Sequence, residues 1–495
     1  MVIFAEVSIK RFIILAVVIH ILAAWFSVGR YHADEQFQVL EFAAYKTGVN
    51  PAEVLPWEFH EKIRPTVQVA FAYGVMEFSD MIGVSNPFIQ AFIMRLLFSL
   101  LGLYASILLL KRSVSFLKRN NYWFLCMLTL FWCFIPWFHA RFSSENVGMS
   151  FFLMGFIAFL DLKGLRNEKL NITSGRYFLL FLLVGLAGVI RFQLNFFTIG
   201  LLFWLLFIKR VEIKNLIPSG FGIVVANGLG ILCDKWFYGK WEFTTWNYFY
   251  QNLVLHKAEQ FGKEPFYYYF EKTLSDAFPP FSILIILSVL YFIVVFRRSS
   301  LTWILVPFLL AHFFTAHKEL RFLFPLIPII PFIAVVSYQK FQETRSGSAP
   351  GLRIRKTVKI LKYPFYISNF LFLLYLSFKP ADDYTPTLKF LYSYTDQPTV
   401  LYYEKEEFNP YSNAIALNFY RSKSVEVKMN NEEEMTNRAE KKESTLFITD
   451  VAQPVFKKGV QTALVYSTLP LWLKPFNFNN WQERVHPLYI YKVYL

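Results

Sequence analysis

Long apolar runs broken by short, mostly basic segments set the pattern of this chain. Hydrophobic stretches of roughly 15–22 residues recur near 12–28, 88–110, 122–140, 146–160, 177–190, 193–208, 216–232, 280–296, 301–316, 322–338 and 364–378. That length is close to the ~20 residues that cross a ~30 Å hydrocarbon core, so the pattern predicts eleven membrane-spanning helices. Some runs are short or contain proline (Pro136, Pro218, Pro307, Pro325, Pro328, Pro331), and one or two spans are expected to be broken or tilted. The first run is long, lacks a small-residue cleavage site and leads into a polar segment. It is therefore expected to remain a span rather than a removable signal peptide.

After Lys379 the pattern changes. Alternating stretches at 398–403, 424–428, 445–449, 463–467 and 489–494 read as short strands. The expected organisation is a polytopic membrane domain over 1–379 and a small α/β domain over 380–495. Within the first lie two long outer loops, 29–87 and 233–279. Apolar residues at helical spacing predict interface helices at 34–46 and 66–82. Segment 429–443 reads as a solvated helix, and the Ser/Gly/Pro-bearing stretch 341–356 as a flexible linker.

Composition agrees with the membrane assignment. The 495 residues are 55% hydrophobic, 20% aromatic and only 17% charged, far from the roughly 25% charge of soluble domains. The net charge of +15 would suggest nucleic acid until its location is examined. With the N-terminus placed in the cytoplasm, the six inner segments carry 22 Lys/Arg against five acids, net +17, which leaves −2 for everything else. The positive excess thus sits on alternate loops, as the positive-inside rule requires, with the C-terminus outside. Basic charge is here a topology signal, and no RNA-binding motif accompanies it. The sequon at Asn171 falls on the inner side and should be unmodified. Three cysteines within or beside apolar runs give neither a disulfide framework nor a zinc spacing.

Two outer constellations can carry chemistry. His32-Ala33-Asp34-Glu35-Gln36-Phe37-Gln38 follows the first span, with Glu41 one helical turn beyond Phe37. Carboxylates at a membrane surface are costly unless solvated, paired or used, and one on the rim of an apolar cavity suits a general base. The alternative is an ordinary exposed acidic loop. His317-Lys318-Glu319-Leu320-Arg321 packs three potentially cationic groups between two spans, an arrangement fit for phosphate. The alternative is a set of interface anchors with an internal Glu–Arg pair. Arg64, Arg141 and Arg191 are further outer-facing cations able to join such a site. The aromatics of loop 233–279, Trp241 and Trp246 among them, read either as an interfacial belt or as a lipid- or sugar-facing wall.

Other apparent motifs fall away. Gly220, Gly222, Gly228 and Gly230 lie within a span, where small residues allow close helix packing. His312 and His317 are five apart, and no HExxH, Walker, Rossmann or GxSxG sequence occurs. An ATP-driven pump and a serine hydrolase are not expected.

The acidic segment from His32 to Gln38, continued to Glu41, resembles the first-loop signature of glycosyltransferase family 22, the lipid-linked mannosyltransferases of the GT-C superfamily. The similarity is greatest to the branch that adds the third mannose of the glycosylphosphatidylinositol core. Trp57-Glu58 with Ile63-Arg64, Asp234 with Phe237-Tyr238-Gly239-Lys240-Trp241 and Trp246-Asn247, and His317 to Phe322 with Pro325 follow in matching order. The resemblance covers about residues 11–340; Ala33 stands where the eukaryotic branch has Pro. It implies a donor of the isoprenoid-phosphate-mannose type, dolichyl in eukaryotes and another polyprenyl in bacteria, and a glycolipid acceptor on the lumenal or periplasmic side. It implies Asp34 as general base and Glu35 as its assistant or the acceptor's orienter. It further implies His317, Lys318 and Arg321 as phosphate ligands, and no obligatory metal. His32, Gln38, Glu41, Arg64, Asp234, Trp241 and Trp246 become candidate substrate-binding residues. The membrane would be that of the endoplasmic reticulum, or the cytoplasmic membrane in a bacterium. A lipid-linked sugar flippase, or a transferase with another sugar or a protein acceptor, remains the competing reading.

Overall fold

The computed structural model describes residues 2–165, 170, 172–279, 281–344, 349–394, 397–413, 415–456, 459–485 and 487–494. The sequon residue Asn171 lies outside them. The chain divides into two units. One comprises Met1–Ser27, Glu61–Phe71 and Ile93–Lys379; the other joins Val28–His60 and Ala72–Phe92 to Pro380–Leu495.

The first unit is helical. Among the described residues four helices are long and apolar enough to cross a membrane singly: Ile9–Phe26, Pro87–Ser113, Ile213–Tyr238 and Ile360–Phe378. Two further pairs are bent, Phe281–Val295 with Ser300–Phe314 at 120° and Leu320–Leu326 with Ile330–Thr344 at 64°. Other expected spans appear as shorter apolar helices, Ser144–Phe159, Ser174–Ile190 and Phe192–Ile208. The run at 122–140 is likewise divided, into Arg119–Phe131 and Phe134–His139, by extended backbone at Trp132.

Glycines let these helices meet at backbone distance. A Cβ on Gly222 would come 2.5 Å from the Phe178 carbonyl oxygen, and one on Gly200 would come 2.1 Å from that of Trp303. The packing role expected of the span glycines holds for Gly222 and for Gly230, whose Cβ would meet Val189, whereas a Cβ on Gly220 or Gly228 would meet nothing within 4 Å. Aromatic side chains share the core with leucines, isoleucines and valines, with Phe152, Phe156, Phe197 and Phe308 fully buried. Two buried arginines close the end of the first helix. Arg95 Nε donates to Ala24 O at 2.8 Å, and Arg141 donates to Ser27 O at 2.6 Å and to the Ser27 hydroxyl. Cations at a helix C-terminus satisfy its orphan carbonyls and oppose its dipole, so the exit of this helix is fixed. Arg141 is thus committed to the end of the first helix.

The second unit carries the C-terminal sheet expected from the alternating pattern. Its strand order is Val425–Met429, Thr399–Tyr403, Thr445–Thr449, Tyr489–Tyr494, Gln461–Ser467. The first three are parallel and the last two antiparallel. Thr399–Tyr403 and Thr445–Thr449 are buried throughout, as central strands covered on both faces must be. Helix Glu432–Glu440 was expected only as a solvated helix. In fact Met435 and Ala439, four apart, bury against Tyr402, Phe447 and Val493. The linker expected at 341–356 is also mostly helical: helices reach Thr344 and resume at Ala349, while 345–348 lie outside the described residues.

Gly29 joins the chain's beginning to Pro380–Leu495 within this unit. Its φ of +96° suits glycine, and a Cβ there would come 2.3 Å from Asp382 Oδ2. Asp382 accepts from Arg30 N at 2.8 Å and from Thr385 N at 2.6 Å, and Ala381 N donates to Val28 O.

Candidate functional site

The acidic segment is built on an irregular helical turn. His32 caps it, its Nδ1 accepting from Asp34 N at 3.3 Å, and Ala33–Glu35 form the first turn. Residues Gln36–Leu40 then continue as a π-helical turn before the α-helix Glu41–Lys46. Such turns contain one residue more than an α-turn, which aligns side chains five apart and recurs at functional sites. Gln36 Nε2 accordingly reaches Glu41 Oε1 at 2.6 Å.

The Asp34 carboxylate stays partly exposed while Glu35 beside it is buried, as residues on different faces should be. Gln38 Nε2 donates to Asp34 Oδ1 at 2.9 Å and to Glu58 Oε1 at 3.2 Å. One amide group, with two hydrogens, therefore holds two carboxylates in register. Glu35 Oε1 accepts from Tyr31 N at 3.3 Å.

Glu41, a candidate for substrate, is placed differently. It is 1% exposed, and its carboxylate accepts from Gln36, Asn50 and the backbone of Phe419. Burial raises its carboxyl from the ordinary 4.5 to about 7, partly offset by these hydrogen bonds. It clamps the loop that carries Asp34.

Asp234 is another clamp, 2% exposed. Oδ1 accepts from Thr66 N and Oγ1 at 3.1 and 2.8 Å, and Oδ2 accepts from Thr244 N and Oγ1 at 3.3 and 2.7 Å. Arg64 is held at its carbonyl by Tyr238 Oη at 3.0 Å, and its guanidinium lies 5.9 Å from the Tyr248 ring. Trp241 and Trp246 are exposed, with Lys235 Nζ 3.9 Å over the Trp241 ring. Of the candidates in this loop, the two tryptophans are the ones open to a ligand or lipid.

In the first unit, His317 Nε2 lies 3.1 Å from Glu319 Oε1, and Arg321 forks onto Glu319 through Nε at 2.7 Å and Nη2 at 3.1 Å. The internal Glu–Arg pair weighed from the sequence is present. Lys318 turns back: Nζ donates to Thr315 O at 2.6 Å and Glu264 O at 2.9 Å, and burial draws its ammonium below the usual lysine range. The structure adds Arg191 and an unforeseen acid, Glu145, whose Oε1 lies 2.9 Å from Arg191 Nη2 and 3.6 Å from Arg321 Nη1. The one signal for Glu145 was its place at the edge of an apolar run, where an acid without a partner is costly.

The fold is that of a polytopic GT-C membrane protein. It is similar to the crystal structure of ArnT from Cupriavidus metallidurans bound to undecaprenyl phosphate, with a TM-score of 0.55 at 10% identity over 99% of this chain and 98% of that one. The apo form of the same enzyme gives 0.50 over 90% and 93%. Among sequences, the zebrafish (Danio rerio) GPI alpha-1,2-mannosyltransferase 3 is 25% identical over 298 residues, 60% of this chain and 54% of that one. The Candida albicans GPI mannosyltransferase 3 is 24% identical over 316 residues, 63% and 60%. The chain therefore spans little more than half the length of these relatives. The model of the Alg9-like mannosyltransferase family matches residues 11–406, and the chain belongs to that family.

Proposed function

We propose that this protein transfers a mannosyl residue from an isoprenoid-phosphate-mannose donor to a glycolipid acceptor on the outer side of the membrane, with inversion to an α-mannoside. The observation that carries the reading is the Asp34 carboxylate held by Gln38 at 2.9 Å in a chain of this family. Asp34 accepts the proton of the acceptor hydroxyl as its oxygen attacks C1 of mannose. The C1–O bond to phosphate breaks, and the isoprenoid phosphate leaves with the electron pair. Glu35, buried beside Asp34, assists the base by fixing the local backbone through Tyr31 N.

His317 and Arg321, with Lys318 shaping their loop, neutralise charge growing on the phosphate. These cations suffice for a lipid monophosphate, so the reading calls for no metal. The relatives' names favour a glycosylphosphatidylinositol-type acceptor, and with it the reading takes a dolichyl donor and the endoplasmic reticulum membrane. The orientation follows the charge pattern, N-terminus cytoplasmic and C-terminus outside, with 1–379 as transferase domain and 380–495 as outer domain. Purified protein in detergent, given radiolabelled mannose on a polyprenyl phosphate and a glycolipid acceptor, should form a mannosylated lipid sensitive to α-mannosidase. Lipid movement across vesicles without transfer would favour a flippase instead.

A further inference from the structure

Three distant chain segments converge on one buried carboxylate. Glu145 stands in the first turn of helix Ser144–Phe156, with its side chain 3% exposed. Arg191, which ends helix Ser174–Ile190, brings Nη2 to 2.9 Å from Glu145 Oε1 and donates through Nη1 to Ser144 Oγ at 3.3 Å. Arg321 brings Nη1 to 3.6 Å from the same oxygen. Both guanidiniums also share the Phe322 ring, at 5.5 Å and 5.3 Å from its centroid. The two arginines are thus held side by side by one acid and one aromatic ring.

Arg321 also meets a second carboxylate, that of Glu319, at 2.7 Å. The two acids differ in kind. Glu145 is sealed in, whereas Glu319 is 30% exposed and fills the outward fork of Arg321 as an anionic ligand would. Glu319 stands two residues from both His317 and Arg321 in the same segment, so a side-chain rotation withdraws its carboxylate from Arg321 without moving a helix. With its carboxylate withdrawn, the fork of Arg321, beside Arg191, can turn to an incoming anion, and two guanidinium forks match the oxygens of a phosphate.

We propose that Arg191 and Arg321 form a two-arginine seat for the phosphate of an isoprenoid lipid. In it Glu145 is the positioning residue, and Glu319 is a placeholder that the phosphate displaces. The inference rests on the phosphate role given above to the 317–321 cluster, and adds to it a second guanidinium, its support and an exchange.

Binding of polyprenyl phosphate to the purified full chain tests it, alongside donor KM and kcat. Inorganic phosphate serves as a second probe, and thermal melting checks the fold of each variant. Arg191→Lys keeps the charge but loses the fork, and Glu145→Gln keeps the shape but removes the charge that positions both arginines. Each should weaken polyprenyl phosphate binding about 10-fold, the worth of one charge-assisted hydrogen bond. Donor KM should rise in proportion, with kcat at saturation changed less than about 3-fold. Glu319→Gln should do the opposite and tighten binding at least about 3-fold, because the placeholder loses its charge. If Arg191→Lys and Glu145→Gln bind like the parent while Arg321→Ala does not, the pairing is only structural and this inference falls alone. If Arg321→Ala also binds like the parent, the phosphate role of the whole cluster fails. An effect seen with inorganic phosphate but not with polyprenyl phosphate would overturn the lipid assignment. Should Glu145→Gln not fold, Arg191→Lys and Glu319→Gln decide the matter, since only the exchange predicts shifts of opposite sign.

Discussion

The carboxylate of Glu41 accepts the backbone N–H of Phe419, 378 residues further along the chain, at 3.1 Å from Oε2 and 3.3 Å from Oε1. The same carboxylate holds Gln36 and Asn50, so one buried acid ties the loop bearing Asp34 to the segment before strand Val425–Met429. Glu41→Ala would leave three buried donors without their acceptor. It should destabilise the protein by about 1–3 kcal/mol, read as an earlier thermal melt.

The same residue makes stability depend on pH. Burial lifts its carboxyl from 4.5 to about 7 in the folded protein. Between these values the folded state holds a proton that the unfolded chain has released. Its contribution is therefore fully present below about 4.5 and is lost as pH rises through about 7. The parent's melting temperature should rise as pH falls from about 8 to about 5, and Glu41→Gln, which cannot titrate, should flatten that slope. An unchanged slope in the variant would assign the dependence to other groups.

Gln38 donates to Asp34 and Glu58 together, so one amide fixes where the Asp34 carboxylate sits. Gln38→Leu removes the donor while keeping similar bulk. The Asp34 carboxylate should then be held less firmly for the acceptor hydroxyl, lowering kcat with donor affinity little changed. At neutral pH turnover should fall about 10-fold, the worth of one hydrogen bond to a charged group. A variant with parental turnover would show that Gln38 does not position the base.

Orientation can be read by labelling. Ser115→Cys lies on a segment counted as cytoplasmic and Lys441→Cys on the outer C-terminal part, and both positions are exposed. With Cys233 replaced by serine, an impermeant thiol reagent should reach the two from opposite sides of sealed vesicles. Labelling from one side would overturn the orientation drawn from the charge pattern.

Much of this architecture could be read from hydropathy. Strands at 399–403, 425–429 and 445–449 fall where alternation put them, and the apolar runs became helices. Span number was harder to read, because hydropathy does not register a backbone break such as that at Trp132, nor a bend between two helices that pack on each other. In the site, a 3.6-residue period set Glu41 beside Phe37. The π-turn instead set it against Gln36, a phase shift that no composition rule announces. Clamps such as Asp234 and Glu41 look like chemistry in sequence because buried carboxylates and working ones are the same residues; only their partners tell them apart. For Glu145 the sequence hid the partners rather than the acid, since its two arginines lie 46 and 176 positions away.

The central claim is that Asp34 removes the acceptor's proton. Asp34→Asn keeps the side chain's shape and can still meet Gln38, but it cannot take up that proton. General base catalysis is typically worth ~10²–10⁴-fold, so turnover should fall by at least about two orders of magnitude. The donor's affinity should change little, because the base acts mainly in the transition state. The measurement is mannose transfer from a polyprenyl-phosphate donor by purified parent and Asp34→Asn protein in detergent, with donor binding measured on the same samples. The account predicts a variant that binds donor like the parent and transfers at about one hundredth of its rate or less; transfer above about a tenth of the parental rate would show that Asp34 is not the base.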